Sequence, residues 1–142
     1  EEHHGLTISD GAVDAAVDAA KVQYGEQLID SFVLGNPHEG IFPAIYGTTH
    51  IEHISSLGIL ETFDAAAIIV AADVAAKTAE VELIELRIAK GMCGKSYVFL
   101  CGEVSAVEAA ISRAKASVAE TGMYLDSTVI AHPDPQICKS IL

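Results

Sequence analysis

The second half of the chain alternates between short apolar runs and longer stretches with apolar residues at helical spacing. Residues 56–61 form a short apolar run that is typical of a buried strand. A helix is predicted to follow, with Thr62 or Asp64 capping its first turn and Thr78 near its end. Residues 81–88 alternate between the two sides of an extended chain, which predicts a second strand.

The remaining pattern completes one domain. Residues 96–101 are β-branched and aromatic and predict a third strand, and residues 104–120 have the spacing of an amphipathic helix that ends before Gly122. Residues 124–131 predict a fourth strand, and Pro133 is expected to open a short C-terminal helix. The predicted order, β-α-β-β-α-β-α, is a ferredoxin-like α+β fold in which helices cover one sheet.

Two segments of the first half reappear later in the chain in the same order. Residues 11–17 resemble residues 104–111 at an offset of 94, and residues 30–34 resemble residues 126–130 at an offset of 96. A Pro/His pair and then an apolar segment follow each copy: Pro37-His38 with residues 41–45, and His132-Pro133 with residues 137–142. We interpret this as an internal repeat, because chance does not easily produce several matches in one order.

Residues 57–102 precede the second copy and have no counterpart before the first, so the first copy is incomplete. The predicted domains are the C-terminal part of a first domain (1–47), a linker (48–56) and a complete second domain (57–142). An incomplete domain exposes an unpaired strand edge, so residues 5–8 and 27–34 are expected to form strands that pair across a domain or subunit boundary.

Composition narrows the class of protein. The formal charge is −12 at pH 7, which argues against nucleic acid or an anionic membrane as a partner. Apolar residues make up 51% of the chain, as in a globular protein, and no secretory signal is visible at the N-terminus. The three cysteines have neither an even count nor CxxC spacing, so a reduced, cytoplasmic location is expected.

Candidate catalytic chemistry is sparse, and no enzyme activity is predicted. Gly94-Lys95-Ser96 resembles the end of a phosphate-binding loop but lacks the upstream glycine at the required spacing. His50 and His53 are three residues apart in the predicted linker, where no further ligand completes a metal site. His38 and His132 recur in both copies, which favours a structural role in turns, and acidic strand residues such as Glu85 are expected on solvated faces.

Three stretches resemble the shell domain of bacterial microcompartments. Residues 71–83 (AADVAAKTAEVEL) are similar to its signature helix and second strand, and residues 102–110 (GEVSAVEAA) to the turn into its second helix. Residues 129–133 (VIAHP) are similar to its closing strand, with Ala131 where that family has arginine. The closest type is the tandem-domain shell proteins of the propanediol-utilisation kind, of which the first domain here is incomplete.

The resemblance implies a structural protein that forms a homotrimer mimicking a six-domain hexagonal tile. Such tiles join other shell proteins edge to edge around encapsulated enzymes, and the loop between strands two and three lines a central pore. In this sequence that loop is Lys90, Gly91, Met92, Cys93, Gly94 and Lys95. Lys77 corresponds to the lysine at the tile edge, and the two loop lysines are expected to favour anions at the pore.

Cys93 raises an alternative function. A thiol repeated by each subunit around a symmetry axis places three thiolates near one point, which suits an iron–sulfur cluster or a soft metal ion. The alternatives are therefore a shell protein with no cofactor, a shell protein that relays electrons through a cluster at Cys93, and a small ligand-binding regulator of similar fold. Cys101 and Cys138 are expected to pack in the apolar core.

Overall fold

The computed structural model describes residues 10–142. The chain divides into two compact units, and the boundary between them falls between Asn36 and Pro37. In the first unit, helix α1 spans Asp10–Tyr24 and is followed by a single 3-10 turn at Gly25–Gln27. The strand expected at residues 5–8 lies outside the described residues.

The strand expected over residues 27–34 is wrong. Residues 28–34 have no strand assignment in the structure. Residues 126–130, the stretch whose sequence resembles them, do lie in a strand, because a neighbouring strand shares backbone hydrogen bonds with them. The described part of the first unit offers residues 28–34 no such neighbour.

The second unit has the predicted order of elements, with one helix before it. Its elements are α2 (Ile41–Tyr46), β1 (Ser56–Thr62), α3 (Ala65–Thr78), β2 (Val81–Arg87), β3 (Ser96–Gly102), α4 (Val104–Ala119), β4 (Tyr124–Ala131) and α5 (Pro135–Ile141). The four strands form one antiparallel sheet in the order β2-β3-β1-β4. The predicted β-α-β-β-α-β pattern with a C-terminal helix is therefore confirmed.

Small residues bring the helices close to the sheet. Asp64, one of the two predicted caps, accepts a hydrogen bond from the Ala67 N–H at 2.7 Å and so begins α3. On β1, a Cβ atom added to Gly58 would lie 2.7 Å from Leu100 Cδ1 and 2.8 Å from Val107 Cγ1. Helix α4 can pack this closely only because Gly58 has no side chain.

The opposite face of the sheet carries a second apolar cluster, formed by Ile51, Ile54, Leu57, Ile84 and Cys101. Residues of α5 and of the neighbouring strands pack partly buried against it. A register shift in β2 between Leu83 and Glu85 breaks the simple alternation predicted for that strand. As a result Leu86, and not Glu85, is buried on the same face as Leu83, because Leu83 pairs with Leu100 and Leu86 pairs with Val98.

Cys101 and Cys138 pack among apolar side chains, as predicted. Cys101 is buried, and burial raises the pKa of its thiol to about 11, with the nearby Glu82 carboxylate as a lesser cause. Cys138 is half-buried against the same cluster. The thiol of Cys101 is therefore protonated at neutral pH and behaves as a small apolar side chain.

Helices α2 and α5, which lie about 96 residues apart, begin with the same hydrogen bonds. The Gly40 N–H donates to His38 Nδ1 at 3.1 Å, and the Gln136 N–H donates to Asp134 Oδ1 at 2.8 Å. The next N–H along each chain segment bonds to the backbone of the same capping residue: Ile41 N–H donates to the His38 carbonyl, and Ile137 N–H donates to the Asp134 carbonyl. Helix α5 therefore begins at Pro135 after the Asp134 cap, two residues later than Pro133, where the sequence pattern predicted it.

Replacing Gly58 with alanine is expected to lower the free energy of unfolding by about 1–3 kcal/mol, because the new methyl group overpacks the space between β1 and α4. Chemical denaturation of the purified protein measures this loss. Gly11→Ala is the matched control. Gly11 lies in helix α1, and a Cβ atom added there meets nothing within 4 Å. Equal stability of Gly58→Ala and the wild type would contradict the close-packing argument.

Candidate functional site

The six predicted pore residues, 90–95, lie in the loop between β2 and β3. The Ala89 N–H donates to Ser96 Oγ at 3.0 Å, and the Lys95 N–H donates to the Met92 carbonyl at 3.2 Å. These bonds close the loop at its base and at its tip. Four residues adopt positive φ: Ala89 at 51°, Gly91 at 74°, Cys93 at 54° and Gly94 at 94°. The two glycines tolerate this geometry, whereas Ala89 and Cys93 adopt it at some cost.

The chemically active side chains of the loop face outward. Lys90, Cys93 and Lys95 are exposed, and Met92 is half-buried. The loop thus presents two ammonium groups and one thiol to whatever approaches it. Within a chain that carries 20 acidic and 8 basic residues, this is a local concentration of positive charge.

A metal site within one copy of the chain is not present in the described part. Among residues 10–142, no three His, Cys, Asp or Glu side chains are grouped so as to hold a metal ion. Cys93 nevertheless fits the role of a single thiolate ligand, because it is exposed at the tip of a turn. Any cluster at Cys93 would therefore draw its other ligands from outside residues 10–142 of this copy.

Lys77, the predicted tile-edge residue, lies in the last turn of α3 and is held by a buried carboxylate. Its Nζ is 2.6 Å from Asp73 Oδ2, one helical turn earlier. Asp73 is only 4% exposed, and its other oxygen accepts the His38 backbone N–H at 2.7 Å. One carboxylate thus fixes the lysine on α3 and also secures the segment that enters α2.

Asp73 was not predicted as a functional residue. The available signal was the spacing Asp73-x-x-x-Lys77, which places the two charges on one face of an otherwise alanine-rich helix. The bond to His38 had no sequence signal, because the two residues are 35 positions apart.

Glu85 is less exposed than the sequence pattern predicted. It was expected on a solvated face, but its side chain is only 22% exposed and is ion-paired with Arg87. The hydrogen bond from Arg87 raises the pKa of that guanidinium. Burial, followed by the charge of Glu85, raises the pKa of Tyr97, whose hydroxyl donates to Glu85 Oε2 at 3.4 Å. These three groups form a small polar cluster on neighbouring strands β2 and β3.

The structural roles expected of two histidines are confirmed. His38 caps the turn into α2 through its Nδ1 atom. His132 has a positive φ of 52° directly after β4, and its N–H donates to the Ser55 carbonyl at 3.1 Å. Over the described residues, no helix has the length and apolar character needed to cross a membrane.

Comparison with known proteins places this geometry in a family. The family model described as the BMC domain matches residues 56–133. The chain is 36% identical over 132 residues to the bacterial microcompartment shell protein PduT of Citrobacter freundii, covering 93% of this chain and 72% of the relative. A crystal structure of a microcompartment protein from Desulfitobacterium hafniense matches with a TM-score of 0.80 and 40% identity, covering 91% of this chain and 72% of that one.

Replacing Lys77 with methionine is expected to lower the free energy of unfolding by about 1–3 kcal/mol, because it leaves the buried Asp73 carboxylate without its cation. Denaturant unfolding of the variant tests this. The matched control is Lys21→Met, which removes the Lys21–Asp18 pair from an exposed helix surface and should change stability by less than about 0.5 kcal/mol. Equal effects of the two substitutions would show that burial of Asp73 does not matter.

Proposed function

The chain belongs to the BMC-domain family of microcompartment shell proteins, and on that premise we propose that it is a structural tile of a microcompartment shell in the bacterial cytoplasm. The observation that carries the proposal is the fixing of Lys77 by the buried Asp73. A lysine that is ordered before assembly loses little conformational freedom when a neighbouring tile packs against it. The role is architectural, and no residue is assigned a catalytic step.

Exposed apolar side chains support assembly into something larger. In the described part of the chain, the large apolar side chains that remain exposed are Val22, Tyr24, Leu28, Ile29, Phe42, Tyr46, Phe63, Ile137 and Leu142. An acidic protein of this size is soluble through its charge, so apolar groups in this number favour burial against other chains. The partners in this proposal are further copies of the chain and other shell proteins, with enzymes enclosed by the shell.

The building block in this proposal is a trimer in which each chain contributes two shell domains to a pseudo-hexagonal tile. The identical capping bonds of α2 and α5 support the view that residues up to 47 are the end of a first domain copy. The loop of residues 90–95 then faces a central opening. Its outward lysines give that opening a positive lining, which favours anionic metabolites over cations.

Native mass spectrometry and electron microscopy of the purified protein test the tile. We expect wild-type chains to form trimers that assemble further into sheets. Lys77→Ala should keep the trimer mass and lose the sheets, because it removes the lysine at the contact between tiles, although it also removes the ion pair with Asp73. Arg113→Glu is the control for a charge change on the exposed side of a helix and should still form sheets. A wild-type protein that stays monomeric would contradict the proposal.

The exposed thiol of Cys93 favours a second candidate, in which the tile also carries an iron–sulfur cluster at the pore. When bound, such a cluster would supply one-electron transfer across the shell. This chain would contribute the Cys93 thiolate, and the ammonium groups of the neighbouring Lys90 and Lys95 would stabilise negative charge there.

Iron content and visible absorbance after anaerobic purification distinguish the two candidates. A cluster predicts iron in the wild type, loss of iron and colour in Cys93→Ala, and retention of both in Cys138→Ala, whose thiol packs in the core. Iron-free, colourless wild-type protein that still forms sheets would leave the plain shell tile and reject the cluster.

A further inference from the structure

A cavity of about 290 Å³ lies where helix α2 ends beside β2, the edge strand of the sheet. Its wall includes Tyr46 and Gly47 at the end of α2, Glu85 and Arg87 at the end of β2, and Lys90 in the loop that follows. The volume lies at the lower end of the range for small-molecule sites in proteins, so it suits a ligand of about ten non-hydrogen atoms or fewer.

The charges on the wall of the cavity favour an anion. Arg87 and Lys90 supply two positive charges against the one negative charge of Glu85, within a chain whose formal charge is −12. The Arg87 side chain is 41% exposed and Lys90 is also exposed, so both groups can reach a ligand. The planar guanidinium presents several N–H donors that match the two oxygens of a carboxylate.

The sheet holds Arg87 in position. Its Nε donates to Glu85 Oε1 at 3.0 Å, and the Tyr97 hydroxyl donates to the other oxygen of the same carboxylate at 3.4 Å. The Tyr97 ring packs against Phe99, with the ring centroids 4.8 Å apart. A guanidinium that is held in this way loses little conformational freedom when it binds a ligand. Glu85 is thus a positioning residue for Arg87.

The rest of the wall is largely apolar. Ile45 and Ile88 line it and are half-buried, and Tyr46 beside them is 76% exposed. A short apolar tail on the ligand would cover these side chains and remove them from water. A bare inorganic anion would meet only the two cations.

We propose that this cavity binds a small carboxylate with a short apolar tail, whose oxygens contact Arg87 and Lys90 and whose tail lies against Tyr46 and Ile88. Binding requires a folded chain and no assembly, so the proposal goes beyond the proposed tile. Because Lys90 also belongs to the loop of residues 90–95, the bound carboxylate would lie next to that loop.

Saturation-transfer NMR of the purified wild-type protein tests the ligand class. The probes are butyrate, butylammonium, which has a similar length and the opposite charge, and inorganic phosphate as a competitor without a tail. We expect butyrate to bind at least about tenfold more tightly than butylammonium, and phosphate at equal concentration not to displace it. Equal binding of the two organic ions, or displacement of butyrate by phosphate, would overturn the proposal.

Single substitutions locate the site. Arg87→Gln is expected to weaken butyrate binding by at least about tenfold, and Lys90→Gln by about threefold. Arg113→Gln is the matched control, because it removes an exposed arginine from α4, and it should leave binding unchanged. Tyr46→Ala changes an exposed side chain and should also weaken binding, which keeps the test valid if Arg87→Gln lowers stability.

The positioning role of Glu85 has a test of its own. Glu85→Ala removes a negative charge from the wall, and charge alone would then make butyrate bind more tightly. Because the substitution also releases the Arg87 guanidinium, we expect binding about threefold weaker than in the wild type. Glu85→Gln, whose amide oxygen still accepts from Arg87, should restore most of the affinity. Tighter binding in Glu85→Ala would overturn the positioning role.

Two outcomes separate this proposal from the proposed tile. Butyrate binding that both Arg87→Gln and Tyr46→Ala leave intact would overturn the proposed site, and wild-type sheets under the same conditions would leave the tile standing. Butyrate binding that is lost in these variants of a protein that forms no sheets would support the site and count against the tile.

Discussion

The structure depends on covering both faces of a single four-stranded sheet. On one face, α3 and α4 cover the sheet. Because Gly58 has no side chain, α4 approaches closely enough to exclude water. The other face relies on segments outside the β-α-β-β-α-β motif, namely Ile51, Ile54 and helix α5. These additions cover only part of it. The helical face is therefore a closed core, whereas apolar groups on the second face remain partly exposed.

Asp73 links the core to Lys77 and to the segment that enters α2. It is buried in α3, yet both of its oxygens bind groups at the periphery, the Lys77 ammonium and the His38 N–H. A buried carboxylate is costly unless both oxygens are satisfied, so loss of either partner weakens the position of the other. Lys77 and the segment that enters α2 are thus coupled through one side chain.

The sequence alone predicted the limits of those elements in which the spacing of apolar residues follows directly from which face is buried. β1, α3, β3, α4 and β4 fall within one or two residues of their predicted limits, because each has one face against the core. The prediction failed where a contact with a distant part of the chain decides the structure. The register shift in β2 places Leu86, and not Glu85, on the face of Leu83, and residues 28–34 have no strand partner among the described residues. Of the candidate site, residues 90–95 and Lys77 were named from the resemblance to the shell domain, whereas the Asp73–His38 bond had no signal in the sequence.

Helices α2 and α5 begin with equivalent capping bonds but bury different side chains, because different surfaces lie against them. Ile41 of α2 is only 2% exposed, since α2 packs on β2 and α3. Ile137 of α5 is 45% exposed, whereas the next residue, Cys138, packs against the second apolar cluster. The burial of a side chain on so short a helix is therefore set by the surface on which the helix lies and not by the helix itself.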